Sequence, residues 1–319
     1  MIGRQRTEDR GQIVVCRCAA HSPILRGKAA TNSLSSAFRH QSSGFTLVEM
    51  IMVIVITGIL GGMVAMFLKA PIQQYMDVGR RADMTDIANT ASRRVMRDVR
   101  LALPNSVSVY GCPNACTLQF IPTSAGGRYR AYQNATGTVP PSGVFSPAPT
   151  STTQLLVMAP PVAVPPIGTG DQVVIYNQNV TDAYTGLNRT TGTNTVGAAT
   201  VDGTPLNLGA ALAFPYASPN QRFNVVNFPV SYVCNPNPAN PALGTLTRVT
   251  GNSWAYQSTA GTSNLLAKNV SSCSFTYDPS VVAQRAGLVT LTLGISEADL
   301  SGNQESVTLY TAAHVSNEP

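Results

Sequence analysis

Six consecutive residues, Gly44-Phe45-Thr46-Leu47-Val48-Glu49, combine groups suited to peptide cleavage and to a charge pair. Gly44 offers a protease an unhindered extended backbone. Cleavage after Gly44 would give Phe45 a new α-amine. Glu49 lies inside an apolar run, where a carboxylate costs roughly 2.5–3.5 kcal/mol on membrane-insertion scales. Its natural partner is an α-amine of a neighbouring subunit, because pairing removes two poorly solvated charges. The alternative is a signal anchor whose Glu49 reaches the membrane surface.

Four of the six cysteines follow the apolar run: Cys112, Cys116, Cys234 and Cys273. An even number in an exported segment favours disulfides. Of the three possible pairings, Cys112–Cys116 with Cys234–Cys273 is the simplest. A zinc site and, for Cys112 and Cys116, a redox pair stay open as alternatives. The zinc site lacks its usual companions, because His314 is the only histidine after His40 and no CxxC occurs.

Arginines recur at helical spacing before Pro104. Arg93, Arg97 and Arg100 share one face, and Arg94 is spaced to pair with Asp98. Three uses stay open: contact with another subunit, capture of DNA, or bonds to carbonyls and carboxylates of the same domain. Catalytic motifs such as GxSxG or a phosphate loop do not occur. We therefore expect no enzyme, no metal site and no cofactor.

The elements that must hold these residues begin with a membrane segment. Phe45 to Leu68 is a run of 24 residues whose single charge is Glu49, long enough to cross a bilayer. Residues 1–44 carry seven basic and two acidic groups, whereas the rest carries 14 and 13. The positive side stays cytoplasmic, so we expect one crossing with the remainder exported.

Four segments follow from this pattern: a leader (1–44) that is removed, a membrane helix (45–70), an amphipathic helix (71–103) and an exported β domain (104–319). Pro71 should kink the helix, and Pro104 should end it. A proline-rich surface excursion is expected at 140–166. No methionine lies between Met1 and Met50, which favours a start codon nearer Gly44. The fold class is α+β: a long kinked helix packed on an antiparallel β domain of two small sheets.

Strands are expected where β-branched and aromatic residues lie between turn residues. Leu288 to Leu293 alternates in the manner of a half-buried strand. The nine candidates are 117–121, 154–158, 172–176, 223–226, 230–234, 245–249, 274–277, 288–293 and 306–311.

The segment Gly44 to Glu49 before an apolar helix resembles the class III signal of type IV prepilins and type II secretion pseudopilins. The resemblance implies cleavage between Gly44 and Phe45 by a prepilin peptidase, and N-methylation of Phe45. It also implies that Glu49 meets the methylated amine of an adjacent subunit. The leader is longer than usual for this family.

Further blocks resemble MshO-type minor pilins of the mannose-sensitive haemagglutinin (MSHA) pilus. They span the chain after Gly44. The same architecture is also similar to J-type pseudopilins and PilW-type minor pilins. The blocks are 93–107, 126–131, 170–177, 229–234, 244–248 and 314–319.

This resemblance implies a minor pilin that helps assembly at or near a filament tip. Its expected partners are other pilins, the prepilin peptidase and the inner-membrane assembly platform, whereas nucleic acid is not expected. The chain would stay in the inner membrane with its β domain periplasmic and then enter the filament. A J-type pseudopilin of a type II secretion system and a tip adhesin are the alternatives.

Overall fold

The computed structural model describes residues 44–131, 145, 147, 152–158, 167–168, 170–196, 204–251, 253–282, 285–299 and 302–319. The leader before Gly44 and most of the expected excursion at 140–166 lie outside these residues. The chain divides into two compact units, Met1–Gly61 and Gly62–Pro319. The four expected segment boundaries therefore stay predictions.

The long helix α1 spans Leu47–Val99 and contains Pro71 without a break in its helical residues. The expected kink stays a prediction. We expected the helix to continue to Leu103, but it ends four residues earlier. The reason is tertiary: the Leu103 N–H donates to the carbonyl of Ile121 at 2.8 Å instead of to its own helix. Pro104 also disfavours helical backbone at the preceding residue.

The regular secondary structure in the rest of the described chain is almost entirely antiparallel β, so the α+β class is confirmed. All nine expected strands overlap observed ones. The described elements are β1 (Ser108–Tyr110), β2 (Cys116–Phe120), β3 (Thr123–Arg128), β4 (Thr152–Val157), β5 (Gln172–Val174), α2 (Asp182–Thr185), β6 (Arg189–Val196), β7 (Thr204–Leu212), β8 (Arg222–Val226), β9 (Val230–Asn235), a 3₁₀ turn (Pro241–Leu243), β10 (Thr245–Thr250), β11 (Thr262–Lys268), β12 (Val270–Val282), β13 (Ala286–Ala298) and β14 (Gln304–Ser316).

These strands form three sheets in the described part of the chain, not the two expected. Their orders are β1-β2-β9-β10-β11, β12-β13-β14 and β3-β8-β5-β6-β7-β4. Three strands of the third sheet were not predicted: β3 and β6 are rich in glycine and threonine and give no apolar alternation, and β7 alternates only from Thr204 to Leu208.

The six-stranded sheet closes on itself. Its outer strands β3 and β4 meet at a bridge between Tyr129 and Val157. The Met158 N–H donates to the Arg128 carbonyl at 2.9 Å, and the Arg130 N–H donates to the Leu156 carbonyl at 2.8 Å. Closure satisfies backbone groups that an open edge would expose.

The second half of α1 packs on the other two sheets through one apolar cluster. Its buried residues recur at three- and four-residue spacing, as the sequence predicted. In β13, Val289, Leu291 and Leu293 are fully buried, which confirms the predicted alternation. The buried helix residues are Met84, Ala88, Ala91, Ser92, Val95, Met96 and Val99.

Side-chain amides join the segment after α1 to the sheets. The Asn105 side chain donates to the carbonyls of Asn177 at 2.9 Å and Asn317 at 3.4 Å. The Asn177 amide returns a bond to the Pro104 carbonyl at 2.8 Å. Asn317 accepts from the Tyr277 hydroxyl at 3.1 Å. The junction between helix, six-stranded sheet and three-stranded sheet is therefore polar and hydrogen-bonded.

Candidate functional site

The residues singled out for cleavage lie just before the first turn of α1. Phe45 is 74% exposed. A Cβ placed on Gly44 would meet nothing within 4 Å. A peptide bond between two such residues is accessible to a protease.

Thr46 and Glu49 form part of the helix start. The Glu49 N–H donates to Thr46 Oγ1 at 3.3 Å, and the Met50 N–H donates to the Thr46 carbonyl at 3.1 Å. This is half of a capping box, in which the threonine side chain satisfies an amide that the helix cannot. Glu49 lies in the first turn, where the helix dipole favours a negative charge. Thr46 therefore has a local role that sequence reasoning missed, although its spacing from Glu49 was readable.

Exposed apolar side chains cover the first part of α1. An apolar 18-residue stretch of the helix, long enough to cross a membrane, has no buried residue. The Thr57 hydroxyl is compatible with an apolar surface, because it donates a hydrogen bond to the Val53 carbonyl of the same helix at 2.7 Å. The exposed apolar residues include Leu47, Ile51, Val55, Ile59, Met63, Phe67, Ile72 and Val78. Such a surface needs lipid or other helices to cover it.

Asp98 pairs with the five-stranded sheet and not with Arg94, so the predicted Arg94–Asp98 pair is wrong. Asp98 Oδ2 accepts from the Tyr232 hydroxyl at 2.7 Å and lies 2.9 Å from Arg248 Nε. Burial and the carboxylate of Asp98 raise the pKa of Tyr232, which keeps its proton on the hydroxyl. Sequence alone gives no signal for a bond across more than a hundred residues.

A second ionic contact ties α1 to β14. Arg81 Nε donates to Glu305, and Arg80 Nη2 lies 3.6 Å from the other oxygen of the same carboxylate. Asp77 also contacts Arg80. These residues fix α1 against one end of the three-stranded sheet.

The arginines expected on one face of α1 do not reach across the sheet. Arg93, Arg97 and Arg100 are exposed. Arg93 donates to Asn89 of its own helix at 2.9 Å, and Arg97 lies 3.8 Å from Asp98 Oδ1. Three uses of these arginines were left open. The structure does not show one of them, bonding of the arginines to the sheet of their own domain.

The four cysteines form two disulfides, Cys112–Cys116 and Cys234–Cys273, with the pairing favoured as the simplest. Cys116 and Cys234 are direct partners across β2 and β9. The two disulfides therefore lie side by side: Cys112–Cys116 closes the turn before β2, and Cys234–Cys273 ties β9 to β12. Bonded cysteines supply no thiolate for zinc, and the described residues contain no group of three His, Cys, Asp or Glu side chains that could hold a metal.

Comparison with known families gives one match: residues 39–65 match the prokaryotic N-terminal methylation motif. Neither curated proteins nor solved structures gave a match to the chain. The motif covers the proposed cleavage site, Glu49 and most of the apolar run. It supports a membrane-anchored type IV pilin or pseudopilin, which is a structural subunit. It also implies processing by a prepilin peptidase and assembly with other pilins.

Proposed function

We propose that this chain is a minor pilin or pseudopilin that a prepilin peptidase cleaves between Gly44 and Phe45. The observation that carries this proposal is the methylation motif at residues 39–65, placed directly before an exposed apolar helix. The anchor stays attached after such a cleavage. The cleaved subunit can therefore leave the membrane only if other apolar helices cover this surface.

The residues of the motif then have separate roles. Gly44 gives access to the peptidase, and Phe45 carries the new amine and its methyl group. The Glu49 carboxylate, in the first turn of α1, accepts a hydrogen bond from the Phe45 amine of an adjacent subunit. Two charges that are costly in hydrocarbon neutralise each other when subunits are in the correct axial register. Glu49 thus sets the stagger between helices.

The proposed location is a single crossing of the inner membrane, with residues after about Leu68 in the periplasm before assembly. The disulfides support a periplasmic location of these residues, because such bonds persist in oxidising compartments. The MSHA assignment and a position at or near the filament tip rest on the resemblance of the MshO-type blocks.

The test is the N-terminal mass of the full chain recovered from membranes with and without prepilin peptidase. We expect a chain that begins at N-methyl-Phe45, and an uncleaved chain when the peptidase is missing. Gly44→Val should block cleavage, because the bulky side chain crowds the scissile bond. Gly58→Val is the matched control, since a Cβ there also meets nothing within 4 Å. Cleavage after Leu68, or peptidase-independent cleavage at Gly44, would refute the proposal.

The second candidate is a J-type pseudopilin, which the same motif also supports. Recovery of the mature chain in sheared pili favours the pilin. Retention in the cell envelope together with loss of secreted proteins on deletion favours the pseudopilin.

A further inference from the structure

The two disulfides differ in their access to solvent. Cys112 lies in a turn, residues 111–115, in which every residue is exposed. Cys234 and Cys273 belong to the apolar core between α1 and the sheets, where Cys234 is fully buried and Cys273 is 9% exposed. Thiol–disulfide exchange requires that the attacking thiolate reach a sulfur. In the folded chain, an external reagent therefore reaches the Cys112 sulfur, whereas packing shields the Cys234–Cys273 disulfide.

The buried sulfur of the exposed disulfide lies beside the second disulfide. Cys116 and Cys234 are direct partners in the antiparallel pair of β2 and β9, so their side chains lie on the same face of the sheet. The Phe275 N–H donates to Cys116 Sγ at 3.3 Å, which holds this sulfur against β12, the strand that carries Cys273. Cys116, Cys234 and Cys273 therefore share one buried space.

A bond between Cys116 and Cys234 fits the same backbone. Directly opposite residues of an antiparallel pair have Cα atoms about 4.5–5.5 Å apart. Disulfides usually form when this separation is about 4.4–6.8 Å. Cys116 can therefore bond either Cys112 or Cys234 without a change of strand register.

We propose that Cys112–Cys116 is an exchange site through which an external disulfide oxidises the buried pair Cys234 and Cys273. The exposed sulfur of Cys112 is the entry point, and the buried sulfur of Cys116 passes the oxidation to β9. This gives the first disulfide a role beyond closing its turn. The proposal does not depend on cleavage at Gly44.

Two exchanges carry the oxidation into the core, and each breaks one S–S bond and forms another. The Cys234 thiolate attacks Cys116 Sγ, and Cys112 leaves as a thiolate that water solvates. The Cys273 thiolate then attacks Cys234 Sγ, and Cys116 leaves as a thiolate. The Phe275 N–H beside Cys116 Sγ stabilises that negative charge.

Two further exchanges restore the exposed disulfide. The Cys112 thiolate attacks the external disulfide and releases one external thiolate. The Cys116 thiolate then attacks Cys112 Sγ and releases the second. Overall, one external disulfide is reduced to two thiols, and the thiols of Cys234 and Cys273 are oxidised to a disulfide. The two protons that these cysteines lose end on the external thiols.

Both tests use a background chain, defined as the full chain with Cys16→Ser and Cys18→Ser, so that only the four cysteines after the apolar run remain. Free thiols are alkylated, the chain is digested with trypsin, and linked peptides are identified by mass spectrometry without reduction. The N-terminal mass of the same sample reports cleavage at Gly44 separately. The informative peptides are 101–128 with Cys112 and Cys116, 223–248 with Cys234, and 269–285 with Cys273.

The first test traps the bond between Cys116 and Cys234. In the background chain with Cys273→Ser, isolated from cells, the second exchange cannot occur. We expect peptide 101–128 linked to peptide 223–248, with the alkyl group on Cys112.

Cys234→Ser is the matched control for the trap, because it also leaves one cysteine of the buried pair without its partner. Cys273 does not lie opposite Cys116 in the sheet, so the Cys112–Cys116 bond should stay intact. The link between peptides 101–128 and 269–285 should therefore be about tenfold rarer than the trapped link in the Cys273→Ser chain. Absence of the trapped link, or equal amounts of the two links, would overturn the proposal.

The second test measures the rate at which the buried pair is oxidised. The reduced background chain in detergent is mixed with glutathione disulfide, and the link between peptides 223–248 and 269–285 is followed in time. Cys112→Ser together with Cys116→Ser should slow its formation about fivefold or more, because the oxidant loses its exposed entry point. Ala115→Ser, which changes the same turn but keeps both sulfurs, should leave the rate unchanged.

Equal rates with and without Cys112 and Cys116 in a folded reduced chain would contradict the proposed route. The fluorescence of Trp254 reports whether the reduced chain stays folded. If it unfolds, the oxidant reaches every cysteine directly, and the trapped link in the Cys273→Ser chain decides.

Discussion

The two ends of α1 use similar apolar residues in opposite ways. Between Met84 and Val99, the apolar face is buried against two sheets of the same chain. Between Leu47 and Leu68, the apolar side chains are exposed. The first arrangement stabilises the fold, because burial removes apolar surface from water. The second contributes nothing to the folding of the isolated chain and needs an external partner.

Glu49 gives the sharpest test of this difference. Glu49→Gln should leave cleavage after Gly44 intact but reduce incorporation into filaments at least tenfold, because the amine of Phe45 loses its carboxylate partner. Immunoblots of sheared filaments, normalised to the cleaved chain in membranes, measure this. Asp86→Asn, an exposed acid in the other half of α1, is the control. Normal incorporation of the Gln variant would show that Glu49 does not set the stagger.

Two methionines test the comparison through stability. Met84 is 1% exposed and Met63 is 55% exposed. Met84→Ala should lower the free energy of unfolding by about 2–5 kcal/mol, because it leaves a cavity in the helix–sheet core. Met63→Ala should change it by less than about 0.5 kcal/mol.

Urea unfolding of the full chain in detergent, followed by the fluorescence of the single Trp254, measures both. Equal destabilisation by the two changes would mean that the first part of α1 is buried in the isolated chain.

A substitution of Tyr184, which lies outside α1, should change the stability less than Met84→Ala does. Its hydroxyl donates to the Ser106 carbonyl at 3.0 Å. Burial raises the pKa of Tyr184 well above its usual value, and the neighbouring Tyr256 and Tyr110 act in the same direction. The folded state therefore keeps this proton to higher pH than the unfolded state. The resulting stability is complete below pH 10, near the unfolded pKa, and is lost as pH rises toward the folded pKa.

Tyr184→Phe should cost about 1 kcal/mol at pH 7, through the lost hydrogen bond, and should weaken the fall in stability above pH 10. Unfolding free energies from pH 7 to 11 check this, with the exposed Tyr216→Phe as control. An unchanged slope above pH 10 would mean that Tyr184 titrates normally in the folded chain.

Local patterns in the sequence were sufficient to predict the long helix and nine strands. Val289, Leu291 and Leu293 alternate with polar residues, and Met84, Ala88, Ala91 and Val95 recur at helical spacing. Both patterns are local, since each follows from the repeat of a single element. The motif from Gly44 to Glu49 is local as well, and for that reason the amino-acid sequence alone was enough to predict the candidate site.

The third sheet could not be predicted in this way. β6 has no alternating apolar pattern and β7 has only a short one, so both strands depend on their neighbours and on closure of the sheet. The Arg94–Asp98 prediction failed for a related reason: i,i+4 spacing allows the pair, but Tyr232 and Arg248 offer Asp98 a less exposed and better hydrogen-bonded site.

By itself, the sequence determined the processing motif, the apolar anchor, the α+β class and four cysteines in the segment predicted to be exported, because these depend on neighbouring residues or on composition. Only the tertiary structure decided which cysteines bond, where α1 ends and which carboxylate meets which arginine. The physical reason is distance along the chain. Asp98 meets Arg248, and Arg81 meets Glu305, only after packing has brought the helix and the sheets together.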